Sequence, residues 1–139
     1  QERILAAFGA QIAAEEMLRL TIHYVKERQA FGKPISKFQN TQFKIAEMAT
    51  EVQLGRTFLD ELIMKHQRGE DIVTEVSMVK WWITDMARRI SPECMQLHGG
   101  YGYMEEYPIA RKYRDIAISP IFAGTNEIMK VIIAKNLGL

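Results

Sequence analysis

Helical spacing without strand alternation is the feature that most constrains this sequence. Apolar residues recur every three or four positions through three long stretches, 2–28, 36–68 and 71–98, and no stretch alternates apolar with polar residues. That period is typical of an amphipathic helix with one buried face. The sequence therefore predicts an all-α domain, an up-and-down four-helix bundle with an additional short helix, in which short turns join the long helices.

Glycine, proline and capping residues predict where the long helices begin and end. The turn Phe31-Gly32-Lys33-Pro34 ends the first helix, because glycine permits turn dihedrals and the residue before a proline disfavours helix. Ser36 is the expected N-cap of the second helix, and Asp71 is that of the third. Pro92 is expected to kink the third helix or to start a new turn within it.

The last third of the chain holds the remaining predicted helices. The pair Gly99-Gly100 closes the third helix. A short helix is expected around 106–116, and the last helix is expected to run from Thr125, a capping residue, to about Asn136. The segment from Cys94 to Lys130 contains more glycine, tyrosine and proline residues than helices that only pack against each other require. It therefore favours a site where backbone comes close to a bulky anionic ligand.

Length and charge exclude several classes of protein. The 139 residues suffice for one domain with a core, and a net charge of +1 leaves no electrostatic footprint for nucleic acid. No apolar run approaches the roughly 18 residues of a membrane span. His23, His66 and His98 show no metal-ligand spacing, so no metal site is expected. The chain begins at Gln1 without a methionine, and we expect it to be a piece of a longer protein.

Three other residues carry smaller expectations. Cys94 is the single cysteine and cannot form an internal disulfide, so a reducing compartment is expected, and no secretory signal is visible. Trp81 and Trp82 are adjacent and are expected to point to different sides of the third helix. One of them belongs either to a deeper core or to a subunit interface, where tryptophan is enriched. The sequence alone favours neither.

The local motifs that suggest chemistry each have an ordinary structural explanation. Gly99-Gly100-Tyr101-Gly102 lacks the preceding strand of a dinucleotide fingerprint and is explained by a helix C-cap with a turn. Arg28 suits bidentate phosphate binding, or a cation at a helix C-terminus. Gly124-Thr125 offers either an anion site at a helix start or an ordinary cap. Glu2 is explained by the helix dipole alone.

As a set, however, these motifs resemble the C-terminal helical domain of the acyl-CoA dehydrogenases over essentially the whole chain. Both their order and their spacing fit that family. The matching segments are Tyr24 to Ile35 (YVKERQAFGKPI), Phe38-Gln39, Gln96 to Tyr103 (QLHGGYGY), Glu106-Tyr107-Pro108, Arg114-Asp115 and Ala123 to Ile128 (AGTNEI).

The resemblance implies an FAD-dependent enzyme that oxidises an acyl-CoA thioester to the trans-2-enoyl-CoA and passes electrons to an electron-transfer flavoprotein. It also implies a homodimer or homotetramer, in the bacterial cytoplasm or the mitochondrial matrix. The family's complete chain has an N-terminal helical domain and a middle β domain that lie outside this sequence. We therefore expect this chain to be inactive on its own and to hold FAD weakly.

The resemblance also implies roles for residues at the two ends of the chain. Many members carry the catalytic base, a glutamate, at the position of Ala123, whereas long-chain and isovaleryl-CoA enzymes carry it on the first helix, just before an arginine. Glu2 is therefore expected to be the base, and Arg3 to lie beside the substrate. The amide of Ala123 is expected to polarise the thioester carbonyl, with Phe122 and Gly124 lining the same site.

Cofactor contacts follow from the same matching. One expected group is Arg28, Gln29, Ala30, Phe31 and Gln39, which would contact the FAD pyrophosphate and adenosine. A second, from the neighbouring subunit, is Gln96, Leu97, His98, Gly99 and Gly100. A third, Thr125, Asn126 and Glu127, would approach the flavin nucleotide.

Two alternatives stay open at this stage. Ala123 favours a non-catalytic helical oligomerisation module that keeps the fold without the chemistry, whereas Glu2 favours an enzyme. An acyl-CoA oxidase is the other alternative, because it shares the deprotonation step and differs in its electron acceptor. The acyl chain length is not readable from these residues.

Overall fold

The computed structural model describes residues 2–139, and five helices account for most of them. Two 3-10 turns, Ile35–Lys37 and Gly99–Gly102, and two short strands, β1 (Gln29–Ala30) and β2 (Lys33–Pro34), lie between helices. The helices are α1 (Glu2–Glu27), α2 (Gln39–Gln67), α3 (Val73–His98), α4 (Pro108–Ile116) and α5 (Asn126–Asn136). The predicted all-α bundle of four helices with one additional short helix, α4, is confirmed.

Helix α3 lies at the centre of the bundle and packs against α1, α2, α4 and α5. Small residues on α1, namely Ala7, Ala10 and Ala14, are buried and allow the helices to approach closely. Larger apolar side chains fill the space around them. Fully buried members of this core are Met17, Leu59, Leu62, Ile83, Met86 and Ile90.

Both predicted caps of the long helices differ from what the structure shows. Ser36 is not an N-cap: it lies inside the 3-10 turn, and α2 begins one turn later, after Phe38, which makes no side-chain capping bond. Asp71 precedes the true N-cap Ile72, yet its Oδ1 accepts a hydrogen bond from the Val73 amide at 3.2 Å. The aspartate thus satisfies a first-turn donor from one position further out.

Helix α3 continues through Pro92 as a single element, and no new helix starts there. Proline cannot donate to the carbonyl of Arg88, four residues earlier. The Ser91 hydroxyl donates to that carbonyl instead, at 3.3 Å. A side chain therefore replaces the missing backbone bond, which explains why the helix tolerates proline at this position.

The turn after α1 is a small hairpin that helical periodicity does not reveal. Strands β1 and β2 pair antiparallel, with Gln29 opposite Pro34. The two residues between the strands, Phe31 and Gly32, have φ angles of 53° and 79°. Positive φ at both central residues is typical of the tight turns that match strand twist. A phenylalanine there is uncommon, and its ring is 95% exposed.

The last helix begins as predicted. The Thr125 hydroxyl accepts a hydrogen bond from the Ile128 amide at 3.4 Å and caps α5. Between α4 and α5, residues 117–125 form a series of turns that crosses one end of the bundle. Over residues 2–139, no helix combines the length and hydropathy needed to cross a membrane.

Candidate functional site

The start of the chain and the loop before α5 meet at one end of the bundle. They enclose a cavity of about 640 Å³, which we call the Glu2–Ala123 cavity. Its lining residues are Glu2, Arg3, Ile4, His66, Ile72, Val73, Val76, Ala123 and Gly124. Four of the five residues that the sequence predicts for catalysis and substrate binding therefore share one space. The fifth, Phe122, is half-exposed and lies outside that lining.

The loop Phe122-Ala123-Gly124, here called the site loop, has an uncommon backbone. Ala123 has a φ of 54° and Gly124 a φ of 92°, so two successive residues occupy the left-handed region. An alanine there is strained, whereas glycine is not. Among residues 2–139, no protein group accepts a hydrogen bond from the amides of Ala123 and Gly124. Two residues that line the cavity thus have amides without an acceptor in the described part of the chain.

The cavity has both charged and hydrocarbon lining residues, which suits a ligand that carries a polar reacting group on a hydrocarbon chain. Glu2 contributes a carboxylate and Arg3 a guanidinium, whereas Ile4, Ile72 and Val76 are hydrocarbon. Pockets that bind small molecules commonly combine apolar walls with a few placed polar groups. A carboxylate and amide donors that line the same cavity are the groups that can remove a proton from a carbon next to a carbonyl and polarise that carbonyl.

A second depression lies at the other end of α1. This space, the Arg28 cleft, has a volume of about 530 Å³ and brings together residues that are distant in sequence. Its lining is Tyr24, Arg28, Ile35, Gln96, Leu97, His98, Gly99, Gly100, Tyr101 and Met104. One chain therefore brings Arg28 and the whole Gln96–Gly100 group to a single surface. The expected division of these residues between two subunits stays a prediction.

Aromatic rings build the wall of the Arg28 cleft. Tyr24 stacks on His98 with ring centroids 4.4 Å apart, and Tyr101 lies 5.2 Å from Tyr107. The Arg28 guanidinium lies over the Tyr101 ring at 5.6 Å. A cation over an aromatic face is held in position while its N–H groups remain free to bind an anion. Neither the role of Tyr24 nor that of Tyr101 was predicted, although both lie inside motifs that match the family.

The surroundings of His98 disfavour the charged form of its ring. It is 5% exposed, and its Nδ1 lies 2.8 Å from the Cys94 carbonyl oxygen, to which it donates. Burial lowers the pKa of His98 below its ordinary value, because the charged form loses hydration. The ring therefore acts as a fixed, uncharged platform at the base of the cleft.

Seven of the predicted cofactor residues lie outside the cleft lining, four of them in or near the hairpin and three at the start of α5. Gln29, Ala30 and Phe31 belong to the hairpin, and Gln39 is the first residue of α2. Phe31 makes an edge contact with Phe38 at 6.2 Å. An almost fully exposed aromatic ring on a strained turn is placed to contact something outside this chain.

The three predicted cofactor residues at the start of α5 differ in their exposure and in their hydrogen-bond partners. Thr125 caps the helix, and the exposed Glu127 has its pKa lowered, chiefly by its own backbone amide. Asn126 is buried, and its side chain bonds to Lys80, Thr84 and Asp85. Its polar atoms are used inside the protein. The Asn126 side chain thus has partners within the protein, and the expected approach of Asn126 to the flavin nucleotide stays a prediction.

Comparison with known proteins agrees with this arrangement. The family described as acyl-CoA dehydrogenase, C-terminal domain, matches residues 1–138. The chain belongs to the acyl-CoA dehydrogenase family. The mitochondrial long-chain specific acyl-CoA dehydrogenase of Sus scrofa is 44% identical over 137 residues, which cover 99% of this chain and 32% of that protein.

Two solved structures extend the comparison. The acyl-CoA dehydrogenase from Geobacillus kaustophilus is 65% identical, with a TM-score of 0.99 over 100% of this chain and 37% of that one. The FAD complex of PigA is 34% identical, with a TM-score of 0.86 over 91% of this chain and 33% of that one. The chain thus spans about a third of the length of its relatives.

The Arg28 cleft fits part of a dinucleotide cofactor. Arg28 is exposed and suits a phosphate, and the stacked rings of Tyr24 and His98 give a flat aromatic wall. Gly99 has a φ of 60°, and a side chain at Gly99 or Gly100 would enter open space. The backbone there can approach a ligand closely. Among residues 2–139, no cluster of histidine, cysteine and acidic side chains has the geometry of a metal site.

Proposed function

We propose that this chain is the C-terminal domain of an FAD-dependent enzyme that oxidises acyl-CoA thioesters to trans-2-enoyl-CoA. The observation that carries the proposal is the meeting of Glu2 with the free amides of Ala123 and Gly124 across one cavity. A base and an oxyanion-binding donor are the two elements that deprotonation next to a thioester carbonyl requires.

In this proposal the carboxylate of Glu2 removes the α-proton, and the amide of Ala123 donates a hydrogen bond to the thioester oxygen. That bond strengthens as negative charge develops on the oxygen, which lowers the barrier selectively. Arg3 orients the carboxylate or the substrate. The apolar residues Ile4 and Val76 exclude water around the reacting carbon. Bound FAD would accept the hydride that leaves the β-carbon.

The placement of the base is supported by the family comparison. The family resemblance puts the carboxylate of long-chain and isovaleryl-CoA members on the first helix, and the Sus scrofa relative is a long-chain enzyme by name. Ala123 stands where other members carry a glutamate. We infer that one carboxylate serves the cavity, and that in this chain it comes from α1.

Cofactor and partners belong to the same proposal. Arg28, with Gln29, Ala30, Phe31 and Gln39, and the Gln96–Gly100 group would hold the FAD pyrophosphate and adenosine, and Thr125 and Glu127 would lie near the flavin nucleotide. An electron-transfer flavoprotein would receive the electrons. A homodimer or homotetramer would complete each FAD site, because the exposed Phe31 and Arg28 face outward from this chain.

The test is Glu2→Gln in the complete enzyme, with FAD content checked by its absorbance. Loss of a general base costs about 10²–10⁴-fold in rate, so we expect reduction of bound FAD by acyl-CoA to slow by at least about a hundredfold. Glu16→Gln is the matched control, because Glu16 lies on the same helix and pairs only with Arg19. Unimpaired FAD reduction by the Glu2→Gln enzyme would show that Glu2 is not the base.

Reducing the enzyme with substrate without oxygen, and then adding either oxygen or an electron-transfer flavoprotein, separates the two electron acceptors. The dehydrogenase proposal predicts that substrate-reduced enzyme persists in the presence of oxygen and is reoxidised quickly by an electron-transfer flavoprotein. Rapid reoxidation by oxygen with hydrogen peroxide formation would instead favour the oxidase alternative.

A further inference from the structure

Lys80 is a buried cation that the proposed reaction leaves without a role. It lies in the first third of α3, on the side that faces α5, and it is 0% exposed. Lysine is almost never fully buried without partners, because its ammonium loses hydration. A leucine or methionine would fill the same space at lower cost. The presence of a lysine therefore calls for a reason beyond packing.

The three hydrogen bonds of Lys80 point to that reason. Its Nζ donates to the Gly124 carbonyl at 2.7 Å, the Asn126 Oδ1 at 2.9 Å and the Pro120 carbonyl at 3.2 Å. All three partners are acceptors, and only the ammonium form has three N–H groups, since the neutral amine has two. Burial lowers the pKa of Lys80, whereas Asp85 and Glu127 act in the opposite direction.

These bonds hold the two ends of the segment that carries the site loop. Pro120 lies before the site loop and Gly124 is its last residue, so one ammonium ties both ends to α3. Pro120 O also accepts from the Asn126 amide at 2.9 Å. Between these anchors, Ala123 keeps its strained φ of 54° and its unpaired amide. Strained backbone persists only where its surroundings determine it.

We propose that Lys80 is a positioning residue that locks the site loop in the conformation that presents the Ala123 amide to the Glu2–Ala123 cavity. Without the ammonium, the carbonyls of Pro120 and Gly124 lose a buried partner, and Ala123 can relax to an unstrained φ. The amide would then turn away from the thioester oxygen. The catalytic part of this inference rests on the proposed function, whereas the structural part does not.

Hydrogen exchange on the 139-residue chain tests the structural part. Lys80→Met removes the charge at nearly constant volume, and Lys80→Arg keeps a buried cation with several N–H donors. We expect the amide of Asn126, which bonds to Pro120, to exchange at least about tenfold faster in Lys80→Met than in wild type, with a smaller change in Lys80→Arg. Lys135→Met is the control, because that lysine is exposed on α5 and lies away from the site loop.

Steady-state kinetics on the complete enzyme test the catalytic part. An amide that binds developing charge acts mainly in the transition state, so Lys80→Met should lower kcat by at least about tenfold and leave KM within about threefold. Lys80→Arg should recover part of the loss, and Lys135→Met should leave both constants unchanged. Folded fraction and FAD content are measured in parallel and must match wild type.

Two results would overturn the proposal: unchanged exchange in a folded Lys80→Met chain, or a kcat within about twofold of wild type at full FAD content. If Lys80→Met does not fold, Lys80→Gln is measured in the same way with the same two outcomes. If the wild-type enzyme does not oxidise any acyl-CoA, the proposed function fails, and the exchange experiment still decides the role of Lys80.

Discussion

At the scale of the residue, His98 shows how burial gives a side chain a measurable pH dependence. Burial lowers its pKa in the folded protein below the ordinary value of 6.5. As the pH falls through 6.5, the unfolded chain takes up the proton before the folded one does. The free energy of unfolding is therefore highest above this pH and decreases below it, until the pH reaches the lower pKa of the folded state.

His98→Phe is expected to remove that decrease, because phenylalanine keeps a ring against Tyr24 and cannot titrate. One proton changes the stability by up to about 1.4 kcal/mol per pH unit, so the wild-type chain should show a slope of that order or less below pH 6.5. Urea unfolding between pH 5 and pH 8 measures it. Values at pH 8 give the pH-independent cost of the lost bond to Cys94. Equal slopes for the two proteins would contradict the prediction.

The sequence pattern did not indicate which individual residues come together in the candidate site. Only the family resemblance placed Glu2 and Ala123 in the same site. Their positions in the sequence do not show that the chain between them brings both residues to the same end of the bundle. Nothing in the sequence indicates that Lys80 is buried, because a lysine among apolar positions of a helix is expected to be exposed. The internal hydrogen bonds of the buried Asn126 side chain to α3 could not be found from the sequence either, because nothing there shows which residues of α3 face α5.

At the scale of the element, the turn after α3 depends on a glycine that packs against backbone. Gly102 is buried, and a methyl group there would collide with the Met95 carbonyl oxygen and touch the His98 Cβ at 3.0 Å. Gly100, in the same 3-10 turn, has open space where a methyl group would lie. An alanine is therefore expected to destabilise the fold at position 102 and to be tolerated at position 100.

Gly102→Ala is expected to lower the free energy of unfolding by about 1–3 kcal/mol, because the carbonyl of Met95 is backbone and cannot move aside easily. Gly100→Ala should change it by about 0.5 kcal/mol or less. Urea midpoints of the two variants, at one pH, give the comparison. Similar losses in both would mean that the turn as a whole, and not the contact at Gly102, resists substitution.

Helix existence was predicted well and helix ends less well, for identifiable reasons. Periodicity reports the buried face of α2, but Ser36 lies in a 3-10 turn that uses the same residue types as a cap. Helix α3 continues through Pro92 and no new helix starts there, because the Ser91 hydroxyl donates to the Arg88 carbonyl in place of the missing backbone bond. Strands β1 and β2 have only two residues each, which is too short for apolar and polar residues to alternate visibly, so the sequence pattern could not predict them.

At the scale of the whole molecule, two adjacent tryptophans lie beside an open groove. Trp81 and Trp82 were expected to point to different sides, yet both line one groove of about 510 Å³ between α2, α3 and α5. The other lining residues are Leu54, Phe58, Met78 and Ile133. Lys130 lies over the Trp81 ring and Arg89 over the Trp82 ring. The groove is therefore apolar at its floor and cationic at its rim.

The apolar groove favours a subunit interface over a deeper core, because its walls remain open in the single chain. The family resemblance implies a homo-oligomer, and exposed apolar surface of this kind commonly marks a contact between proteins. Leu54 is the residue to change. It is 57% exposed, so a glutamate there costs the folded monomer little, whereas a charge buried in an interface is expensive.

We expect the wild-type chain to self-associate and Leu54→Glu to weaken the association by at least about tenfold in Kd, which corresponds to about 1.4 kcal/mol. Sedimentation equilibrium over a range of concentrations measures this, with circular dichroism to confirm that the variant is folded. Leu5→Glu is the control, because Leu5 is an exposed leucine on α1, away from the groove. Equal Kd values for the wild type and Leu54→Glu would exclude the groove from the interface, and the tryptophans would then serve packing within one chain.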